Sequence, residues 1–150
     1  MRSIFVLLHR WLGLIAAGFL FITGLTGAVI SWDHELDALL NPQLHATRAR
    51  GSALPSLELA RQVEARYAEV FVSSIPPTPE AGESIAFGVA PRVNPATGKL
   101  FEPGFNQVFV DPATGEELGK RQRGAVWPLS TENFVSFLYK LHYSLHLPAI

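Results

Sequence analysis

The chain has 150 residues with 12 basic and 13 acidic side chains, a net charge of -1 and no cysteine. That length holds one small soluble domain beside membrane segments. The balanced charge offers no tract suited to nucleic acid, and the missing thiol excludes disulfides, thiolate metal sites and thiol redox chemistry.

Trp11 to Ile30 is an apolar run without a charge, and Trp32 closes it just ahead of Asp33, His34 and Glu35. A hydrocarbon core about 30 Å thick takes roughly 20 residues at 1.5 Å rise. Tryptophan at both ends suits the bilayer interface. Residues 1–35 are therefore expected to hold a first transmembrane helix. The rival reading is a cleaved signal peptide. The run is longer than a typical signal core of roughly 7–15 residues, and His9 and Arg10 interrupt the apolar residues before it, so an uncleaved anchor is expected. Arg2 and Arg10 precede the span while Asp33, Glu35 and Asp37 follow it, which directs the N-terminus to the cytoplasm.

Projected at about 100° per residue, Gly13, Ala16, Ala17, Thr23, Gly24, Gly27, Ala28 and Ser31 fall on one side of this helix. Ile15, Gly18, Phe19, Ile22, Leu25, Thr26 and Val29 fall on or toward the other. Small residues let a second helix or a flat cofactor approach the backbone. His9 and His34 share the small face and, on one continuous helix, stand about 37 Å apart, near opposite membrane surfaces. Taken singly, each reads as an interfacial polar residue. Taken with the small face they become candidate haem-iron ligands, since ionisable groups in membrane helices tend to face the interior.

Residues 36–129 read as a small α+β domain. Asn41-Pro42 breaks the preceding helix, and 48–56 is a polar connection. Ser56 is placed to cap a helix from Leu57, with Leu59, Ala60, Val63 and Tyr67 on one apolar face. A loop over 73–80 follows. Strands are expected over Ser84–Pro91, Asn106–Asp111 and Glu117–Gln122. Two turns nearly repeat, Asn94-Pro-Ala-Thr-Gly-Lys99 and Asp111-Pro-Ala-Thr-Gly-Glu116. Their turn chemistry predicts two hairpins and an antiparallel sheet. Asp111 reads as a turn residue, since the loop lacks the spaced carboxylates of a calcium site. No catalytic cluster stands out here, and His45 reads as a loop residue at the surface.

Residues 130–150 resume a helical pattern over Thr131–Leu147, capped by Ser130 or Thr131, with Phe134, Phe137, Leu138, Leu141 and Leu145 apolar. His142 and His146, four apart, are expected on one face. Such a pair can bind zinc, but no carboxylate shares the face, which leaves an axial haem ligand or a pair of interfacial polar residues as the stronger readings. Antiparallel spans would bring His34, His142 and His146 to a similar depth. The chain stops at Pro148-Ala149-Ile150 without a polar tail, which reads as entry into a second span and predicts a fragment of a longer protein.

The pieces His9-Arg10-Trp11-Leu12-Gly13, Gly24-Leu25-Thr26-Gly27 and Asp33-His34-Glu35-Leu36-Asp37 resemble the PepSY-associated transmembrane helix family. The hairpin from Val110 to Glu116 is similar to its PepSY domain, and Leu141-His142-Tyr143-Ser144-Leu145-His146 to the start of its second membrane helix. The resemblance implies a bacterial inner-membrane protein with its soluble domain in the periplasm, often tied to iron uptake. It further implies a haem-containing ferric-siderophore reductase, with His9, His34, His142 and His146 as ligands of haem b and a ferric siderophore as the partner. Family members continue into further helices. The alternative is a membrane-tethered PepSY module that regulates or inhibits a protease, with incidental histidines. A third is an assembly subunit whose small face packs on a partner helix.

Overall fold

A computed structural model describes residues 2–47, 51–76 and 82–147. The expected connection over 48–56 and loop over 73–80 fall partly outside these residues, and Pro148-Ala149-Ile150 wholly so. Helix α1 (Arg2–Ile30) is continuous and apolar and leaves nearly all of its side chains uncovered. At 29 residues it reaches about 43 Å, enough to cross a bilayer. It ends in a tight turn at Ser31 and Trp32, where Trp32 N–H donates to the Val29 carbonyl at 3.1 Å. Helix α2 (Asp33–Leu40) follows, so His34 sits on a separate helix from His9. The 37 Å spacing, which assumed one helix, does not apply.

Pro42 does not simply break α2. It occupies the first turn of a four-residue helix, α3 (Pro42–His45), where proline lacks an N–H that would go unused anyway. Helix α4 (Ser56–Arg66) buries Leu59, Ala60 and Val63, the expected face. Ser56 lies inside the helix, with Pro55 in the capping position and no side-chain cap.

Four strands form one antiparallel sheet in the order β1-β2-β3-β4: β1 (Val70–Ser74), β2 (Ile85–Pro91), β3 (Gln107–Val110) and β4 (Glu117–Arg121). Three match the expected strands. β1 is an addition, and its Val-Phe-Val start is a short β-branched and aromatic run. Period-two alternation turns Ile85, Phe87 and Val89 inward to meet α4, Val108 and Val110 in the core. Phe109 points to the opposite face and is buried there as well, at 1% exposure. At the β1 edge, Val72 N–H donates to Glu64 Oε1 at 2.8 Å, and Arg92 Nε donates to the Val70 carbonyl at 2.7 Å. At the β4 edge, Leu44 of α3 lies so close that a Cβ on Gly119 would stand 2.5 Å from Leu44 Cδ2.

Both expected turns form. Val93 bridges Leu100 across the first, and the second joins β3 to β4. Asp111 Oδ1 accepts from the Ala113 N–H at 2.8 Å and the Thr114 N–H at 3.3 Å, holding that turn. Asp111→Ala is expected to lower stability by about 1–3 kcal/mol through lost charge-assisted bonds. Urea unfolding measures this, and added calcium should not restore it.

Helix α5 (Thr131–Ser144) is capped as expected by Ser130, whose hydroxyl accepts from Asn133 N–H at 3.3 Å. It runs antiparallel to α2 and then to α1. The Thr131 carbonyl meets Asn41, Tyr139 meets Asp33, and His142 meets Thr26 and Thr23. Thr23 lies seven residues before Ile30, so α5 returns roughly 10 Å into the depth of the first span.

Candidate functional site

Two polar arrangements sit along the seam between α1–α2 and α5. The first starts at Asp37, one turn into α2 and 6% exposed. Arg121 at the end of β4 meets it with both terminal nitrogens, Nη2 to Oδ2 at 2.6 Å and Nη1 to Oδ1 at 2.8 Å. Asn41 Nδ2 donates to Oδ1 at 2.8 Å, and His45 Nε2 donates to Oδ2 at 3.0 Å. Burial pushes the Asp37 carboxyl up. Hydrogen bonds from His45 and Arg121, with the Arg121 charge and the Asn41 amide, outweigh it and hold the group well below the usual carboxylate range.

The same residues reach outward. Asn41 Nδ2 donates to the Thr131 carbonyl at 3.1 Å, and Arg121 Nε donates to Gln107 Oε1 at 2.9 Å. The Arg121 guanidinium stands 5.0 Å from the Phe109 ring centre, and the His45 ring meets Phe109 edge-on at 5.4 Å. So α2, α3, β3, β4 and the start of α5 converge on one carboxylate. His45, expected at the surface, is a largely covered member of this cluster with its side chain 12% exposed. The available signal was Pro42, which reads as a helix start as well as a stop.

The cluster floors a half-open cleft of about 430 Å³ lined also by Asp33, His34, Glu83, Ser84, Gln107 and Arg123. His34 faces this cleft rather than α1. Its Nε2 donates to both Glu83 oxygens, at 3.2 and 3.3 Å, and its ring meets His45 edge-on at 5.7 Å.

The second arrangement is at His142. Its Nδ1 stands 3.0 Å from the Thr23 carbonyl and 3.2 Å from Thr26 Oγ1. A carbonyl only accepts, so Nδ1 carries the proton and Nε2 keeps the lone pair. Thr26 is the one buried residue described on α1, and its hydroxyl donates to the Ile22 carbonyl at 2.7 Å. A Cβ on Gly27 would lie 3.0 Å from His142 Cε1, so the ring rests on bare backbone. The contact stripe is Thr23, Thr26, Gly27 and Ile30. It is rotated roughly a quarter turn from the centre of the small face, and it includes Thr26, expected on the other side.

His146 does not share a face with His142. α5 ends at Ser144, and Leu145 and His146 take φ of 50° and 58°. That left-handed pair folds the His146 ring onto Phe137 at 4.5 Å, with Nε2 3.2 Å from the Phe137 carbonyl. His9 is exposed on α1. His34 and His142 thus lie in different arrangements, and among the described residues no three His, Cys, Asp or Glu side chains are grouped to hold a metal ion. At His142 the Nδ1 is held by a carbonyl, and Nε2 has no partner among the described residues. At His34 and His146 the Nε2 is already engaged.

A family model described as PepSY-associated TM region matches residues 6–150. No curated protein matches the chain.

Proposed function

The chain belongs to the PepSY-associated TM region family, and from that premise we propose that it is the N-terminal part of an inner-membrane haem-containing reductase acting on ferric-siderophore iron, with the sheet domain in the periplasm. The observation that supports this reading is His142. Its Nδ1–H bonds the Thr23 carbonyl at 3.0 Å, leaving Nε2 in a helix–helix seam with no partner among the described residues. Haem b, when bound, supplies a one-electron couple that takes Fe(III) to Fe(II), and hard-oxygen chelators hold the softer, less charged ion less well. In this reading His142 would hold the haem iron through Nε2. His9, with no side-chain partner among the described residues, serves a site nearer the opposite surface. His34 and His146 enter a ligand set only by releasing Glu83 and the Phe137 carbonyl. Remaining ligands come from further helices.

The test is an oxidised-minus-dithionite-reduced absorption spectrum of haem-supplied protein, expressed from the complete reading frame and held in neutral detergent. Sharp α and Soret bands of a six-coordinate b-type haem are expected, and His142→Ala should abolish those of its site. Featureless spectra from folded protein would sink the reductase reading and leave a membrane-tethered binding module.

A further inference from the structure

Only Ser31 and Trp32 join α1 to α2, in the turn that ends the span. Trp32 takes φ of -118° and ψ of 31°, outside the helical region, and no side chain caps α2. Among the described residues no backbone hydrogen bond runs from Asp33 or a later residue of α2 back to α1. Trp32 is 67% exposed, so its ring does not wedge the two helices at a fixed angle. A few element-terminal residues that neither pack nor bond across a junction are the parts from which hinges are made.

What crosses the break is α5. Tyr139 and His142 stand three apart on one side of it and hold residues on opposite sides of the turn. The Tyr139 hydroxyl donates to Oδ2 of Asp33, the first residue of α2, at 2.9 Å. His142 Nδ1 donates to the Thr23 carbonyl of α1 at 3.0 Å. At the other end of α5, the Thr131 carbonyl accepts from Asn41 Nδ2 at 3.1 Å and the Glu132 carbonyl from Arg121 Nη1 at 3.4 Å. Helix α2 is itself tied to the sheet domain, through Asp37 to Arg121 and His34 to Glu83. One helix therefore has its start fixed to the sheet domain and its end fixed to the span.

We propose that the Ser31–Trp32 turn is a hinge and that α5 is the splint that locks it. The seat of α5 on α1 then sets the angle at which the sheet domain stands over the bilayer. Helices α2 and α3 move with the sheet as one body, and α1 is the other. A neighbouring helix that lifts the His142 end of α5 would release that angle. The inference does not depend on the redox reading, since the contact that locks the hinge uses Nδ1 and not Nε2.

The chain has no cysteine, so introduced thiols alone take nitroxide labels. Spin–spin distances are measured in lipid nanodiscs for two pairs: Leu20→Cys with Arg61→Cys across the hinge, and Leu39→Cys with Arg61→Cys within the domain. All three side chains are exposed. Each pair should give one narrow distribution. Tyr139→Phe with Gly27→Leu removes the Asp33 bond and crowds the His142 seat. This double variant should widen the first distribution about twofold, as a freed hinge requires, and leave the second unchanged. Tyr139→Phe alone keeps the ring and should show the same change in smaller degree. A first distribution that is already broad in the unaltered protein, or that stays narrow in the double variant, overturns the proposal. So does equal widening of the second, which would mean that α2 has come loose from the sheet.

Discussion

Asp37→Ala is expected to lower the unfolding free energy of the sheet domain by about 3–5 kcal/mol, the cost of leaving a buried charge without its partner. Arg121 has its side chain 10% exposed and directs both terminal nitrogens at this one carboxylate. Removing Asp37 strands that cation among Phe109, Gln107 and the Glu132 carbonyl. His45 and Asn41 lose their acceptor at the same time. Urea unfolding at neutral pH reads the loss, and a loss below about 1 kcal/mol would place the pair with ordinary surface bridges and sink the argument. Replacing both partners together, Asp37→Leu with Arg121→Met, should recover much of the loss, because the desolvation of both charges is removed too.

The same carboxylate sets a direction with pH. Its folded value is depressed, so its contribution is fully present above the unfolded value of about 3.9 and is lost as pH falls through that value toward the folded one. The stability difference between the unaltered protein and Asp37→Asn should therefore shrink on acidification below about pH 4. A difference that stays constant through that window would show the group titrating alike in both states.

Gly27→Leu is expected to separate α5 from α1. Even alanine brings a carbon to 3.0 Å from His142 Cε1, tight enough that the ring must give way. Overpacking of this kind costs about 1–3 kcal/mol, and leucine adds three more carbons against an imidazole pinned by the Thr23 carbonyl. Hydrogen exchange should rise across 131–144, about tenfold for each 1.4 kcal/mol of lost docking when exchange follows local opening. Exchange in β2, β3 and β4 should hold, because Gly27 does not touch the sheet core. Unchanged exchange in α5 would mean that the seam accommodates bulk and that the bare backbone under His142 is incidental.

What could be read from the chain alone was local. The 20-residue apolar run, the two Pro-Ala-Thr-Gly turns and the alternation of Ile85, Phe87 and Val89 each carry their cause within a few residues. The Ser130 cap is of the same kind. The polar cluster is different: Asp37 and Arg121 are 84 positions apart, and no periodicity links them. His45 was hidden because a four-residue helix has no pattern to detect. Helical projection found a small face on α1 but not its partner's heading, which Thr26 and His142 decide through one hydrogen-bonded contact. His142 and His146 were paired by spacing. Two left-handed residues undo that pairing, and the first of them, Leu145, is not a residue type that announces a positive φ.

Anchored proteins share a plane, where neighbours meet often and in similar orientations. An open β-ladder would then invite strand-to-strand polymerisation across the bilayer surface. At the β1 border Glu64 occupies the Val72 amide and Arg92 the Val70 carbonyl, while α3 lies over β4 with Leu44 seated on Gly119. Both borders of the sheet are thereby made poor templates. Crowding in the membrane can raise the local concentration of this domain without seeding fibres from its edges.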